Sequence, residues 1–243
     1  MTDLPIEDER GRLLASLAAT LARLDPTLPQ PQRLCQAVAR LTSADGAALT
    51  LEYVSASRTT LCATDDVARN LENLQELLGQ GPGFHATHTR DIAVAHFDSR
   101  IHPTWPMLAQ AVQEQYGDLS LYAVPILTGS ELAGVMSLYA WHETQLRISL
   151  WQAQFLVNAV GAAVLEDFRT HGADGDGLDG AWNGRAIVHQ ATGMVMAQLA
   201  CSPQDALALL RGHAYAHETD IYDIATRVVS KQVNFSDFHV EGD

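Results

Sequence analysis

The chain has 243 residues, 47% of them hydrophobic, which is enough for one large domain or for two small ones with buried cores. Its formal net charge of −14 argues against indiscriminate binding to nucleic acid or to an anionic membrane, although a local basic face stays possible. The acidic N-terminus does not resemble a secretory signal, and no apolar segment is long enough to span a bilayer. We therefore expect a cytoplasmic protein with no membrane partner.

Helical and strand periodicities alternate through the first 170 residues. Apolar residues at helical spacing predict helices over 9–24, 31–42, 66–78, 103–116 and 144–170. Residues that alternate with period two predict strands over 47–53, 59–63, 91–95, 119–127 and 131–140. The sum is an α+β domain over residues 30–170, with helices packed on a mixed or antiparallel sheet, preceded by an N-terminal helix within residues 1–29.

The last helix of this domain, over residues 144–170, is apolar on two sides. One side has the spacing of a coiled-coil seam and consists of Leu146, Leu150, Ala153, Val157, Val160 and Val164. The other consists of Phe155, Ala159, Ala163 and Phe168. Because both sides must be buried, one would cover the sheet and the other would meet the apolar stripe of residues 13–21, in the same chain or in a partner. We expect a homodimer.

Residues 171–184 differ in composition from everything around them. They include five glycines and three aspartates, which predicts a flexible linker. Three helices are predicted after it: over about 183–199, from Ser202, and from 219 or 220. We assign residues 185–243 to a separate three-helix bundle, which is too small to be an enzyme by itself.

Residue types at fixed spacings in this bundle carry a family resemblance. The first helix contains Ala191-Thr192-Gly193, the second Ala206-x-x-x-Leu210-Arg211-x-x-Ala214, and the third apolar residues at 221, 224, 225, 228 and 229. This combination resembles the ANTAR domain. The resemblance implies an RNA-binding module that acts in transcription antitermination, by binding paired stem-loops in a leader transcript so that a terminator cannot form.

The region before the linker is similar to a GAF domain. The similarity rests on four segments in order, at residues 78–82, 105–106, 121–126 and 132–139. The order of the two domains looks like that of bacterial GAF–ANTAR regulators. The resemblance implies that the first domain senses a small molecule or a partner protein and controls the second. GAF domains bind many small molecules or none, so the signal stays unknown.

The candidate RNA contacts are side chains that can pair with phosphates or stack on bases, together with a glycine in the middle of the first helix. They are Arg185, His189, Thr192, Gly193, Arg211, Tyr215 and Lys231. Each side chain has a simpler alternative as a solvated surface group, and Tyr215 as a half-buried core ring. Gly193 predicts close approach of another helix, such as the one that carries Ala206 and Ala214, or of a ligand backbone.

Two other functions stay open for the bundle: protein binding and DNA binding. Residues 183–243 contain four basic and seven acidic residues, a net charge of −3, and Thr192 stands where many ANTAR domains have lysine. Both features favour a bundle that binds protein instead of RNA. A DNA-binding helix-turn-helix is the other alternative, although the turn at residues 217–219 lacks the glycine that such motifs often contain.

A ligand pocket, if the GAF-like domain has one, should lie between the central strands and the helices over one face. Phe84, Trp105 and Tyr122 are plausible lining residues, or they simply fill the core. The pairs His85/His88 and His213/His217 lack further metal ligands, and no catalytic motif occurs. We therefore predict no metal, no cofactor and no enzymatic activity. We expect Cys35, Cys62 and Cys201 to be buried or idle thiols in a reducing cytoplasm.

Overall fold

The computed structural model describes residues 4–52, 58–98, 102–129, 131–141, 146–171, 179–217 and 219–238. Helices α1 (Leu4–Leu21) and α2 (Gln30–Thr42) come first, followed by strands β1 (Gly46–Glu52) and β2 (Arg58–Ala63). Then come α3 (Asp66–Leu78), α4 (Pro82–Thr89), β3 (Ala93–Phe97), α5 (Pro106–Tyr116), β4 (Leu119–Thr128), β5 (Glu131–Trp141) and α6 (Leu150–His171). The C-terminal part consists of α7 (Asp179–Leu199), α8 (Pro203–Ala216), α9 (Ile221–Val229) and a 3-10 turn (Phe235–Phe238). Within these residues, no helix is long and apolar enough to cross a membrane.

The five strands form one antiparallel sheet in the order β2-β1-β5-β4-β3. The prediction of a mixed or antiparallel sheet with helices is confirmed, and every ladder between described strands is antiparallel. Strand β5 lies at the centre, where Leu138 pairs with Tyr122 of β4 and with Ala47 of β1. We call this sheet and its helices, α1 to α6, the sheet domain.

Both faces of the sheet are covered by helices. Residues 121–126 of β4 and 134–140 of β5 are buried without interruption, as is typical of strands with helices on both sides. Helices α1, α2 and α6 pack on one face, while α3 and α5 pack on the other. Helix α4 also packs directly on the strands, where Ala86 meets Ala93, Ala123 and Val135. The side of α3 that does not face the sheet includes Leu77, which packs outside this domain.

Helix α3 has well-defined ends. The Asp65 carboxylate caps its first turn by accepting the Ala68 N–H at 2.8 Å, and the Tyr139 hydroxyl of β5 donates to the same carboxylate at 3.3 Å. The helix ends at Gly79, which has the positive φ of 63° that glycine adopts at low cost. These contacts fix both the start and the last turn of α3 relative to the sheet. Helix α4, which begins three residues later, was missed by the sequence analysis.

The apolar seam of α6 is buried inside its own chain. Ala153, Val157, Val160 and Val164 are at most 2% exposed within the core against α1, α2 and the sheet. On the neighbouring side, Gln152 of α6 donates to Glu9 of α1 at 2.6 Å. The seam therefore does not need a partner chain. Leu150, predicted as part of the seam, is exposed instead.

Helices α7, α8 and α9 form a compact three-helix unit, which we call the bundle. Its buried residues are mainly small or branched: Ala191, Val195, Ala206, Leu210, Ala214, Ile224, Ala225 and Val228. Four of these residues are alanines, whose small side chains let helices pack closely. Gly193 does not contribute to this close packing, because a Cβ built on it meets no atom within 4 Å. The prediction that Gly193 packs against another helix is therefore wrong for the described residues.

The segment predicted as a linker is partly helical. Helix α6 extends to His171, and α7 begins at Asp179, four residues earlier than the sequence indicated. Residues 179–184 thus belong to the first helix of the bundle, despite two glycines. The remaining part of the predicted linker, residues 172–178, lies outside the described residues.

The cysteines also differ from the prediction. Cys35 of α2 and Cys62 of β2 are buried, but they form a disulfide, with Cα atoms 7.1 Å apart, where free thiols were predicted. Their separation of 27 residues gave no sequence signal of pairing. Cys201, between α7 and α8, is free.

Two glycines, one packed against a backbone and one in open space, test this packing. A Cβ on Gly134 of β5 would lie 2.9 Å from the Leu51 Cα and closer still to the Thr50 carbonyl oxygen, both in the backbone of β1. We expect Gly134→Ala to lower the free energy of unfolding by about 1–3 kcal/mol, as overpacking does. Gly193→Ala should raise it by up to about 1 kcal/mol, because alanine is the better helix former. Urea unfolding followed by circular dichroism measures both, and equal effects of the two substitutions would contradict this account.

Candidate nucleic-acid interface

Helix α8 contributes two candidate RNA contacts, Arg211 and Tyr215. Ser202 caps the helix by accepting the Asp205 N–H at 3.2 Å, and Pro203 follows at a position where its missing N–H costs nothing. This start directs the apolar stripe of Ala206, Leu210 and Ala214 into the bundle. Arg211 lies beside that stripe, at the edge of the bundle, where it meets the sheet domain.

Arg211 is held by two helices of the sheet domain. Its Nη2 donates to Glu76 Oε1 of α3 at 3.0 Å, and each of the two side chains is only 18% exposed. The guanidinium carbon also lies 5.7 Å from the centre of the Phe84 ring of α4, within the range of a cation–π contact. Gly79, at the end of α3, leaves room for it: a Cβ there would come within 3.2 Å of Arg211 Nη1. The candidate RNA contact is therefore already occupied by the protein.

The ion pair between Arg211 and Glu76 is incomplete. Among the described residues, neither Arg211 Nε nor Glu76 Oε2 has a hydrogen-bond partner, although both atoms are buried. A guanidinium and a carboxylate can form two parallel hydrogen bonds, and here one is formed. A buried polar atom without a partner costs free energy, so this contact is less favourable than a bidentate pair would be.

An apolar contact accompanies the ion pair. Leu77 of α3 packs with the hydrophobic residues of the bundle, not with those of its own domain. Its neighbours Leu74 and Leu78 pack against the core of the sheet domain instead. Helix α3 therefore has two apolar sides, one for each domain. The contact of Leu77 with the bundle could not be predicted from the sequence, because a leucine in the last turn of an amphipathic helix does not indicate which element it packs against.

A buried polar network lies directly behind this contact. The Thr50 hydroxyl of β1 donates to Glu72 Oε2 at 2.8 Å, and Gln75 Nε2 donates to Glu72 Oε1 at 2.8 Å. Gln75 Oε1 in turn accepts the backbone N–H of Gly83, in the first turn of α4, at 2.7 Å. Glu72 and Gln75 are almost fully buried. The network joins the sheet, α3 and the start of α4 into one unit.

The remaining candidate RNA contacts are dispersed over the bundle. Tyr215 is 57% exposed, Gly193 and Lys231 are exposed, and Lys231 has a positive φ of 61° just after α9. The Thr192 hydroxyl donates to the Val188 carbonyl of its own helix at 2.7 Å. Arg185 and His189 belong to α7, but their side chains lie outside the described part of the chain.

The bundle exposes a further aromatic residue that the sequence analysis did not select. Tyr222 is 45% exposed on α9. The signal was present, since the buried residues Ile224, Ala225 and Val228 define one face of α9 and Tyr222 lies off that face. Tyr215 and Tyr222 together give the bundle two rings that are accessible from solvent.

The aromatic residues proposed to line a ligand pocket do not come together. Tyr122 points to the face of the sheet that α1, α2 and α6 cover, whereas Trp105 packs on the opposite face with α3 and α5. Neighbouring residues of a strand point to opposite faces, so Tyr122 cannot share a cavity with groups that contact Leu121. Phe84 lies under Arg211. The ring of His102 stacks on Trp105 at 5.1 Å.

Histidines do not form a metal site in the described residues, where no group of three or more potential ligands occurs. His213 and His217 of α8 stack on each other with ring centres 4.2 Å apart, and His213 also contacts the ring of Phe235 at 5.3 Å. Burial lowers the pKa of His213, and the nearby His217 and Arg227 lower it further. The bundle therefore favours the neutral form of this ring.

These features define a class of protein: an antiparallel sheet domain with helices on both faces, joined to a small helical bundle that exposes aromatic rings. The model of the GAF domain matches residues 32–164, more than half of the chain, and the model of the ANTAR domain matches residues 176–229. The chain belongs to the GAF–ANTAR regulators. Both are regulatory, non-catalytic domains, which makes the protein a regulator of the ANTAR type.

Comparison with solved structures returned GAF domains. One is the GAF domain of a phosphoenolpyruvate-protein phosphotransferase from Coxiella burnetii, 18% identical, with a TM-score of 0.46 over 68% of this chain and 98% of that one. Another is a GAF domain/HD domain protein from Geobacter sulfurreducens, 12% identical, with a TM-score of 0.41 over 61% of this chain and 99% of that one. Among curated proteins, no sequence matches this chain.

The histidine stack predicts how the bundle responds to pH. Because the folded state lowers the pKa of His213, its contribution to stability is present above the usual histidine pKa of about 6.5 and is lost as the pH falls through the lower, folded-state value. We expect the thermal midpoint of the bundle to fall between pH 7.5 and pH 5.5, and His213→Gln to reduce that fall. His88→Gln in α4 is the control and should leave it unchanged. An identical pH profile for wild type and His213→Gln would contradict the assignment.

Proposed function

We propose that this protein is a signal-dependent, cytoplasmic RNA-binding transcription antiterminator. Its sheet domain would sense a small molecule or a partner protein, and its bundle would bind stem-loops of a leader RNA. The observation that carries this proposal is the ANTAR match over residues 176–229, which spans all of α7, α8 and α9. The exposed rings on that bundle support it, because single-stranded loops are bound by stacking on aromatic side chains.

The proposed RNA surface combines the residues that the sequence selected with one that the structure adds. Tyr215 and Tyr222 would stack on bases, and Lys231 and Arg185 would contact phosphates. Gly193, with open space above it, would allow a phosphate backbone to approach α7 closely. Thr192 would lie on the α7 side of this surface, although its hydroxyl is already engaged by Val188. His189 is included because its spacing from Thr192 in the sequence predicts the same helix face. Arg211 would join the surface only after it leaves Glu76.

A bundle that binds protein is the second candidate function. It is favoured by the net charge of −3 over residues 183–243 and by Arg227, which lies 3.9 Å from Asp223 and is partly neutralised by it. The salt dependence of the affinity distinguishes RNA binding from protein binding. Phosphate contacts release counterions, so the affinity for RNA falls steeply as the salt concentration rises.

The test of RNA binding uses the full chain and the leader RNA of its own operon. A loop-scrambled RNA and a matched double-stranded DNA serve as controls, and each titration is repeated at several salt concentrations, with and without cell extract as a source of the signal. Selective, salt-dependent binding to the leader is expected. Equal binding to the DNA would favour a DNA-binding factor, and no binding to any nucleic acid would favour the protein-binding function.

Tyr215 provides the sharpest single-residue prediction on this surface. Loss of one stacked base costs about 1–3 kcal/mol, so Tyr215→Ala should weaken leader binding by about fivefold to 100-fold. Tyr215→Phe keeps the ring and should bind within about twofold of wild type. Because the side chain is 57% exposed, neither change should alter the stability of the bundle. Fluorescence anisotropy measures the affinities, and equal binding by the alanine and phenylalanine variants would remove Tyr215 from the surface.

We also propose a homodimer formed by α1 and α6. These helices lie side by side and leave Leu14, Leu150 and Trp151 exposed, each more than 40%. Trp151→Glu would place a charge in the proposed interface and should convert a dimer into a monomer in sedimentation equilibrium. Met107→Glu, at a similarly exposed position on α5, is the control and should leave the mass unchanged. A monomeric wild-type protein would overturn this proposal.

A further inference from the structure

The contact between α8 and the sheet domain has a consequence for regulation. We propose that it is an autoinhibitory latch, in which Glu76 occupies Arg211 in place of an RNA phosphate, so that the bundle must leave α3 before it binds RNA tightly. The inference rests on the proposed function, because it concerns the regulation of the same RNA-binding surface. The latch consists of Glu76, Leu77 and Phe84 on the sheet domain and Arg211 on the bundle.

Glu76 and a phosphate group compete for the guanidinium of Arg211. Both offer anionic oxygens to a guanidinium, and arginine binds either group with two parallel hydrogen bonds. Glu76 uses one of these, between Nη2 and Oε1 at 3.0 Å, and leaves Nε of Arg211 buried without a partner among the described residues. A phosphate can engage both nitrogens. The latch therefore stays weak enough for an RNA ligand to replace it.

Access is the second reason why docking and RNA binding exclude each other at Arg211. The side chain is 18% exposed, with Glu76 on one side and the Phe84 ring 5.7 Å from the guanidinium carbon. A bulky phosphodiester strand cannot reach the guanidinium without displacing one of these groups. Tyr215, one turn further along α8, remains exposed, so docking masks the cation while leaving a stacking ring available.

The effect of the latch is large because the bundle has few cations. Its described basic side chains are Arg211, Arg227 and Lys231. Arg211 is paired with Glu76, and Arg227 lies 3.9 Å from Asp223. Of these three, Lys231 alone has no acidic partner among the described residues. In the docked state the bundle thus presents little of the positive charge on which RNA affinity depends.

The buried polar network connects the latch to the rest of the sheet domain. The two groups that hold Arg211 are sequence neighbours of network residues: Glu76 follows Gln75, and Phe84 follows Gly83. Gln75 and Gly83 are joined by the 2.7 Å hydrogen bond between the side-chain oxygen and the backbone N–H. The loop before α4 packs tightly on this hydrogen bond, because a Cβ on Gly81 would lie 2.6 Å from Gln75 Oε1. A signal that moves α4 on the sheet would therefore move Glu76 and Phe84, the two groups that hold Arg211, together.

Two substitutions open the latch by different physical routes. Glu76→Gln removes the charge that holds Arg211, while Leu77→Ser removes the apolar contact and leaves both charges in place. Glu114→Gln, on the exposed surface of α5, is the matched control, because it makes the same change in net charge away from the bundle. All three are made in the full chain. Circular dichroism verifies that each variant keeps its helix content.

Two measurements are made on each variant. Hydrogen exchange without RNA reports docking, and we expect faster exchange in the last turn of α3 and in α8 for Glu76→Gln and Leu77→Ser only. Affinity for the leader RNA reports inhibition, and we expect both variants to bind at least tenfold more tightly than wild type and Glu114→Gln.

The outcomes separate the latch from the proposed function. If wild type binds the leader and the two latch variants bind no more tightly, the latch is overturned and the RNA-binding function stands. If exchange in α3 and α8 is unchanged while affinity rises equally in all three variants, the gain is general electrostatics and the latch is again overturned. If no variant binds any RNA, the function fails and the inference fails with it, even where exchange shows that the bundle has undocked.

Discussion

The constraint on which the structure depends is that both faces of one antiparallel sheet must be covered. Strands β4 and β5 are buried along most of their length, so helices are needed on each side. Helices α1, α2 and α6 provide one layer, and α3, α4 and α5 provide the other. Helix α3 contacts the core of this second layer through Leu74 and Leu78 and contacts the bundle through Leu77. A different division of helices between the two faces would leave the bundle without this contact.

The interface between the domains combines an unspecific contact and a specific one. The apolar contact of Leu77 is unspecific and would tolerate many arrangements, whereas the pair of Arg211 and Glu76 fixes one of them. Taking two charges out of water carries a cost that their attraction barely repays, and here two of the polar atoms remain unpartnered. Such a contact defines a geometry without adding much stability. That balance suits a contact that has to be broken reversibly.

Several elements were predictable because they depend on local patterns. The spacing of Ile224, Ala225 and Val228 defined α9, and the Ser202-Pro203 start defined α8, as the structure confirms. The sheet followed from alternation and from the turn between β4 and β5. Helix α4 was missed because its eight residues are too few for periodicity to be visible, and its sequence Pro82-Gly83 resembles a turn.

Other outcomes were decided where two distant segments meet. Gly193 was expected to face another helix or a ligand backbone, and no helix approaches it among the described residues, because the sequence gives the cost of a glycine but not its surroundings. The seam of α6 was expected to be covered by its own chain or by a partner, and the structure buries it in its own chain, because a periodic apolar face does not specify what covers it. Trp105 and Tyr122 were expected either to line a pocket or to fill the core. The pleat of β4 puts them on opposite faces of the sheet, where each packs in a core.

The sequence by itself determined the two domain types, the order of the helices and strands, and the residue types available for binding RNA. These follow from periodicity, capping and family motifs, all of which act over a few neighbouring residues. Only the tertiary structure decided that Arg211 is enclosed while Tyr215, four residues later on the same helix, is open to solvent. The physical reason is that the environment of Arg211 comes from Glu76, 135 positions away in the chain, and no local pattern specifies a charge pair across that distance.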